Sequence, residues 1–260
     1  SNPVVGQVWY NSTSQALKGS ALTAAAWATS NAMNTVRDAL GGSGADKDGA
    51  LAFGGGSSPS NATANNESYN GTSWTEVGDL NTSKRDFEGA GVSTTAALAF
   101  GGMSNPDPTV SATNESWNGS SWTEVGDLNT ARQYLAGSGT STSALAYGGD
   151  ETAVTEQWNG SSWTEVSDLN TARLQLAGAG DSNTSALAFG GSPSFTGKTE
   201  LWSGSSWAEQ ADLAVGRRKL AGDGTATLAL AFGGEKPGDA SEAEEWTGAG
   251  ASVGAWSTGG

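Results

Sequence analysis

The strongest constraint on this chain is a six-residue motif that occurs five times. The motif is ALAFGG or ALAYGG, and its second glycine stands at Gly55, Gly102, Gly149, Gly191 and Gly234. Successive copies are therefore 42 to 47 residues apart. A regular period of this length is typical of a chain built from one repeated structural unit.

Other residues recur once in each unit and in the same order. An acidic residue and an aromatic residue follow each glycine pair, and then come a tryptophan and an arginine. The acidic residues are Glu67, Glu115, Glu156, Glu200 and Glu244. The tryptophans are Trp74, Trp122, Trp163, Trp207 and Trp256. The arginines are Arg37, Arg85, Arg132, Arg173 and Arg217.

A position that appears once per unit is what a repeated framework requires. We therefore predict that each arginine binds carbonyl groups or a carboxylate, and that each tryptophan is buried between neighbouring units. The alternatives are that the arginines and acids line a polar channel, and that the tryptophans form a sugar-stacking array.

The spacing within a unit predicts four short strands, a to d. Strand a follows the arginine, as at 174–178, and strand b contains the apolar run, as at 185–189. Strands c and d carry the first and second aromatic residues, and Asn-Gly pairs such as Asn159-Gly160 predict a tight hairpin turn between them. One such sheet cannot bury both faces alone, so the units must pack on each other. Five four-stranded units of this size predict an all-β fold, a β-propeller of about five blades.

The glycine pair, the two aromatic residues and the arginine before strand a resemble the kelch repeat over residues 33–256. The resemblance implies a kelch-type β-propeller spanning 33–260. Trp27 stands ten residues before Arg37, just as Trp163 stands ten before Arg173, so an incomplete sixth blade is the alternative. Residues 1–32 are predicted to form an N-terminal hairpin or extension that closes the ring or contacts another subunit.

Composition excludes several kinds of function. The net charge is −15, whereas nucleic-acid binding needs a basic surface. The absence of histidine and cysteine removes thiol chemistry, the Ser-His-Asp triad and the commonest zinc ligands. No apolar run is long enough to insert into a membrane. We predict no catalytic residues, metal or cofactor, although a catalytic carboxylate pair stays open because 27 acidic residues are present.

Length varies between the units almost only in the b–c loop. The second glycine of each unit and the following acid are 7 to 13 residues apart, while the rest of the unit keeps its length within one residue. In an up-and-down sheet these loops share a face with the d–a connectors. Recognition commonly lies on loops held by a rigid scaffold, although drift at a tolerant surface is the alternative. The predicted binding residues are Asn61, Asn65, Asn105, Asp107, Asp150, Phe195, Lys198 and Lys236.

The segment QVWYNSTSQALKG at 7–19 resembles a hairpin of tail and fibre proteins of marine bacteriophages, in which kelch-like units follow. The matching residues are Trp9-Tyr10-Asn11, Ala16-Leu17-Lys18 and the unit at 170–191. The resemblance implies a non-enzymatic, homo-oligomeric virion protein that contacts other virion proteins and a host cell-surface receptor or glycan. The alternative is a bacterial secreted or cell-surface propeller that binds glycans or assembles into extracellular filaments.

Overall fold

The computed structural model describes residues 8–11, 16–19, 29–58, 61–104, 109–239, 241–248 and 255–258. All regular structure in these segments is β-strand. Five antiparallel sheets have four strands each, and in every sheet the strands pair in chain order. The prediction of an all-β propeller with five four-stranded blades is therefore confirmed.

Each blade takes one continuous stretch of chain, apart from its loops. From strand a to strand d, blade 1 has the strands Gly41–Asp46, Gly49–Phe53, Asn66–Tyr69 and Trp74–Val77, and blade 2 has Glu88–Ala90, Ala97–Phe100, Asn114–Trp117 and Trp122–Val125. Blade 3 has Ala136–Thr140, Ser143–Tyr147, Thr155–Trp158 and Trp163–Glu165, and blade 4 has Ala177–Ser182, Ser185–Phe189, Thr199–Trp202 and Trp207–Glu209. Blade 5 has Ala221–Gly224, Leu228–Phe232, Ala243–Thr247 and Ala255–Thr258. The a strands of all five blades line a central channel.

The repeated glycine pair is explained by backbone geometry. Both glycines of every pair have a positive φ, which costs glycine nothing but strains other residues. A Cβ atom at Gly55 would lie 2.4 Å from the carbonyl oxygen of Asp38. The pair therefore lets strand b end in a tight turn against the start of the blade.

The core lies between consecutive blades. The aromatic residue that ends strand b packs on the tryptophan that begins strand d of the next blade. Ring centroids are 4.9 Å apart for Phe53 and Trp122, and 4.9 Å apart for Phe100 and Trp163. Such pairs add aromatic attraction to the apolar area that they bury.

Blade 5 differs from the other blades on the face that points away from blade 4. Phe232, which ends its strand b, is 38% exposed, whereas the equivalent Phe100 is fully buried. Leu228 in the same strand is 63% exposed. Within the described residues, the four buried apolar clusters lie between blades 1 and 2, 2 and 3, 3 and 4, and 4 and 5. No fifth cluster of these residues joins blade 5 to blade 1.

The loops divide between two faces as the meander predicts. On one face, b–c loops contact d–a connectors, and the amide of Leu80 donates to the carbonyl of Ala64 at 2.9 Å. On the other face, a–b and c–d turns are neighbours: a Cβ atom at Gly71 would lie 3.4 Å from the Cα of Asp48. We call the first the b–c face.

The chain divides into two compact units, residues 1–31 and 32–260. In the first unit Val8–Asn11 pairs with Ala16–Gly19 as an antiparallel hairpin. The role predicted for residues 1–32 in ring closure or subunit contact stays a prediction, and Trp27, on which the alternative of an incomplete sixth blade depends, lies outside the described residues. No helix in the described part of the chain is long and apolar enough to span a membrane.

Candidate functional site

The repeated glutamates hold the connectors in place. Each accepts a hydrogen bond of 2.7 Å from a backbone amide of the connector that enters its own blade. The donors are Asn34, Asn81, Asn129, Asn170 and Ala214. A carboxylate that accepts a backbone N–H is a strong, charge-assisted contact. The repetition in all five blades indicates a framework role.

A buried cation pairs with each of these glutamates. The nitrogen–oxygen distance is 2.8 Å for Arg173 with Glu200 and 2.8 Å for Arg217 with Glu244, and all four side chains are fully buried. Arg37 and Arg132 make the same pairs in blades 1 and 3. The arginines also donate to backbone carbonyls, as Arg173 does to Lys198 at 2.7 Å.

The structure corrects the prediction for Arg85. The buried position in blade 2 belongs to Lys84, whose Nζ lies 3.7 Å from Glu115. Burial lowers the pKa of Lys84, and the charge of Glu115 opposes that shift. Arg85 is partly exposed one residue later, where it pairs with Asp86 at 2.5 Å. Lysine and arginine serve the same framework role here, so a search for arginine alone selects the wrong neighbour.

Four tryptophans of the second aromatic series begin a strand d, and Trp256 is the second residue of the strand d of blade 5. Trp122, Trp163 and Trp207 are each 5% exposed and pack between blades. Trp74 is half-buried and packs on Tyr69. Trp256 lies in the outer strand of blade 5 opposite Trp246. The three buried indoles are not available to stack on a ligand.

The predicted loop residues fall into different places on the b–c face. Asn65 and Lys198 point towards the outer edge of their blades, where their side chains bond Glu76 and Glu209 respectively. Asn61 is exposed. Asn105 and Asp107 lie outside the described residues.

The other three predicted residues lie in loops that contact the connectors. Asp150 is exposed, and its carboxylate accepts the amide of Gln133 at 3.1 Å. Phe195 packs under the guanidinium of Arg218, 4.9 Å from the ring centroid. Lys236 forms an ion pair with Glu242 within its own loop. The structure therefore does not bring all eight predicted residues together.

A ring of five equivalent residues surrounds the channel on the b–c face. Each stands two positions after the buried cation of its blade, and each has a left-handed backbone with φ between 50° and 56°. The residues are Ala39, Asp86, Tyr134, Gln175 and Lys219. We call this ring the central mouth. In blade 4 the left-handed residue Gln175 interrupts the extended backbone, so strand a begins at Ala177 and not at the predicted residue 174.

Backbone hydrogen bonds link the members of the central mouth from blade to blade. The amide of Tyr134 donates to the carbonyl of Asp86 at 2.9 Å, and Gln175 donates to Tyr134 at 2.8 Å. Asp86 and Lys219 donate in the same way to Ala39 and Gln175. This chain of bonds fixes five different side chains at one level around the axis.

The central mouth encloses an open cavity of about 420 Å³. Its floor is the next residue in each blade, and these residues are all apolar. They are Leu40, Phe87, Leu135, Leu176 and Leu220. A cavity of this size with few convergent polar groups is typical of a small-molecule site.

The polar groups of the central mouth are electrostatically coupled. Burial raises the pKa of Asp86, and the adjacent Arg85 partly opposes the shift. Burial and the charge of Asp86 raise the pKa of Tyr134. Lys219 donates to Glu235 at 2.8 Å, and Arg218 donates to the other carboxylate oxygen at 3.1 Å.

Beneath the central mouth, the channel holds a cavity of about 350 Å³ with walls made mostly of glycine and alanine. Glu88 of blade 2 breaks this pattern, since the equivalent residues are Gly41, Ala136, Ala177 and Ala221. Burial raises the pKa of Glu88 to about 7, and a hydrogen bond from the amide of Gly89 opposes the shift. Burial and, to a smaller extent, the charge of Glu88 raise the pKa of Tyr147 in blade 3.

We predict that Glu88 makes stability depend on pH. Because its pKa is higher in the folded than in the unfolded chain, the stability that it contributes is full below about pH 4.5 and is lost as pH rises through about 7. Glu88→Gln should therefore flatten this dependence and raise the free energy of unfolding at pH 8 by ~3 kcal/mol. Urea unfolding of the unmodified protein and the variant at pH 5 and pH 8 measures the free energy of unfolding at each pH. An equal change in free energy between the two pH values for both proteins would contradict the prediction.

No family model matches the sequence, and no curated protein matches it. Among solved structures, one titled "Structure of YjhT" superposes with a TM-score of 0.69. The alignment covers 86% of this chain and 84% of that chain at 14% sequence identity. The chain has a β-propeller fold. At this identity, the likeness extends to the fold alone.

The mouth residues are the functional candidates that the repeat analysis missed. One signal was present in the sequence: two positions after the cation, the five units carry five different residue types, and one position later all five are leucine or phenylalanine. In the second unit this contrast appears only when Lys84, and not the predicted Arg85, is taken as the cation. The location of these residues around the channel follows only from the arrangement of the blades in the structure.

Proposed function

We propose that this chain is a non-enzymatic recognition propeller of kelch type, carried on a virion in a tail fibre or related appendage. Its b–c face attaches to the surface of the host cell, and the repeated framework of the blades is a rigid support without a catalytic role. The hairpin resemblance at residues 7–19 motivates the virion setting.

One observation carries the proposal: the five blades share their framework but differ at the central mouth. Ala39, Asp86, Tyr134, Gln175 and Lys219 have one backbone conformation and five different side chains. None is glycine, although each left-handed residue costs on the order of 1 kcal/mol. Backbone strain of this kind clusters at functional sites, and a purely structural role would favour one residue type in all five blades.

The b–c loops beside the central mouth extend this recognition surface. Phe195, Arg218 and Glu235 form a contiguous group that ends at Lys219 in the mouth. Loops of different length around one rigid ring allow one frame to bind different surfaces.

Binding to intact cells tests this proposal. We expect the fluorescently labelled chain to bind cells of a susceptible bacterial strain, and the double variant Phe195→Ser, Lys236→Ser to bind at least tenfold more weakly. Both changes remove contacts on the b–c face without touching the buried ion pairs. Flow cytometry over a panel of strains measures the binding.

The matched control lies on the opposite face, where Lys47 is exposed in the a–b turn of blade 1. Lys47→Ser should bind cells as well as the unmodified chain. A chain that binds no strain of the panel, or binds equally in all three forms, would refute attachment through this face. Filaments of this protein in cells without phage would support the bacterial alternative instead.

A further inference from the structure

The central mouth is an apolar cup with a polar rim. Its floor is the ring of leucines and Phe87, and its rim carries a carboxylate, a phenol, an amide and an ammonium group. A ligand that fits must have an apolar face and several groups that can donate and accept hydrogen bonds. Sugar rings have both, because their C–H faces are apolar and their edges carry hydroxyl groups.

The charges of the cup are already paired. Asp86 lies 2.5 Å from Arg85, and Lys219 lies 2.8 Å from Glu235. A charged ligand group would have to replace one of these partners, whereas a hydroxyl group can join a pair without separating it. Pairing therefore favours an uncharged ligand over a phosphate, sulfate or carboxylate.

One acceptor in the cup has no partner. Gln175 Oε1 is buried and accepts no hydrogen bond from the residues that the structure describes. A buried acceptor without a donor destabilises the protein, so a hydrogen bond donated by a ligand would gain more free energy here than at a solvated group. A hydroxyl group is such a donor.

We infer that the central mouth binds a neutral saccharide, with one sugar ring on the leucine and phenylalanine floor and its hydroxyl groups bonded to Asp86, Tyr134 and Gln175. The inference rests on the proposed attachment function, because it names the ligand class of the same face. The cavity of about 420 Å³ lies in the size range of small-molecule sites. Ala39 is the smallest side chain of the ring, so the rest of the glycan would extend on the side of blade 1.

Titration calorimetry with defined oligosaccharides tests the inference. The neutral ligands are maltotriose, cellotriose, chitotriose and mannotriose, and the charged ligands are sialyllactose and a sulfated heparin oligosaccharide. We expect at least one neutral ligand to bind more tightly than both charged ones. Gln175→Ala should weaken that binding at least tenfold, and Tyr134→Phe, which removes only the hydroxyl group, about fivefold.

The control variant is Lys47→Ala in the a–b turn of blade 1, on the face opposite the central mouth, which should bind the saccharide like the unmodified chain. Thermal unfolding of each variant separates lost binding from lost folding. Tighter binding of a charged ligand than of every neutral one would overturn the inference. Binding of a neutral ligand that is unchanged in Gln175→Ala would also overturn it. Cell binding without any saccharide binding would also overturn it and leave the proposed function standing. Saccharide binding without cell binding would support the inference and refute the proposed attachment function.

Discussion

Replacing Glu200 with alanine is expected to lower the free energy of unfolding by about 3–5 kcal/mol, which is the usual cost of breaking a buried ion pair. The substitution leaves the guanidinium of Arg173 fully buried without its carboxylate. It also removes the acceptor for the amide and side chain of Asn170, at 2.7 and 2.8 Å. Those two bonds hold the connector that enters blade 4. Urea unfolding at pH 7 measures the loss.

Two variants in blade 4 serve as controls for this result. Glu209→Ala removes a carboxylate that is 48% exposed and paired with Lys198, and it should cost under ~1 kcal/mol. Arg173→Lys should cost less than Glu200→Ala, because Lys84 fills the same role in blade 2. Equal losses for Glu200→Ala and Glu209→Ala would show that the buried pair does not hold the blade together.

The blades could be predicted from the sequence because each unit repeats its own local rules. The Ser185–Phe189 strand was predicted with its observed bounds, since an apolar run ending in two glycines can continue only as a tight turn. The two loop faces followed from the meander, which needs no long-range information. Repetition of one pattern five times made each weak local signal decisive.

The start of strand a could not be predicted, because the left-handed residue before it has no sequence signature. Neither Gln175 nor Tyr134 is a residue type that favours this conformation, and none of the five is glycine. The conformation is stabilised by hydrogen bonds between blades, as from Gln175 to Tyr134. Tertiary contacts therefore override local preference at the position that forms the candidate site.

The sequence predicted which loops vary but not where the side chains of the predicted binding residues point, and the physical reason is related. Loop length shows that a segment tolerates change, but the direction of a side chain depends on its partners in the folded blade. Lys198 was predicted from the variable loop of blade 4, yet Glu209 and Thr171 hold its ammonium group at the outer edge. Phe195 in the same loop turns towards Arg218. None of these three partners is adjacent in sequence to the residue that it contacts.

The interfaces between blades are expected to differ sharply in their sensitivity to substitution. Phe100→Ala should lower the free energy of unfolding by about 3–5 kcal/mol, because this fully buried ring packs 4.9 Å from Trp163 between blades 2 and 3. Phe232→Ala, at the equivalent position of blade 5, should cost under ~1 kcal/mol, because its ring is 38% exposed. Both substitutions remove the same atoms from the same strand position, so only the surroundings differ.

Denaturant unfolding of the two variants beside the unmodified chain measures the contrast, and the slope with denaturant shows whether each still unfolds as one unit. Equal losses would contradict the prediction, since they would mean that the exposed face of blade 5 is covered in solution. The loss for Phe232→Ala therefore tests whether the apolar face of blade 5 is exposed in solution. The loss for Phe100→Ala tests how much a buried interface between consecutive blades stabilises the protein. A small loss at Phe232 with a large loss at Phe100 would show that stability comes from contacts between consecutive blades and not from every blade equally.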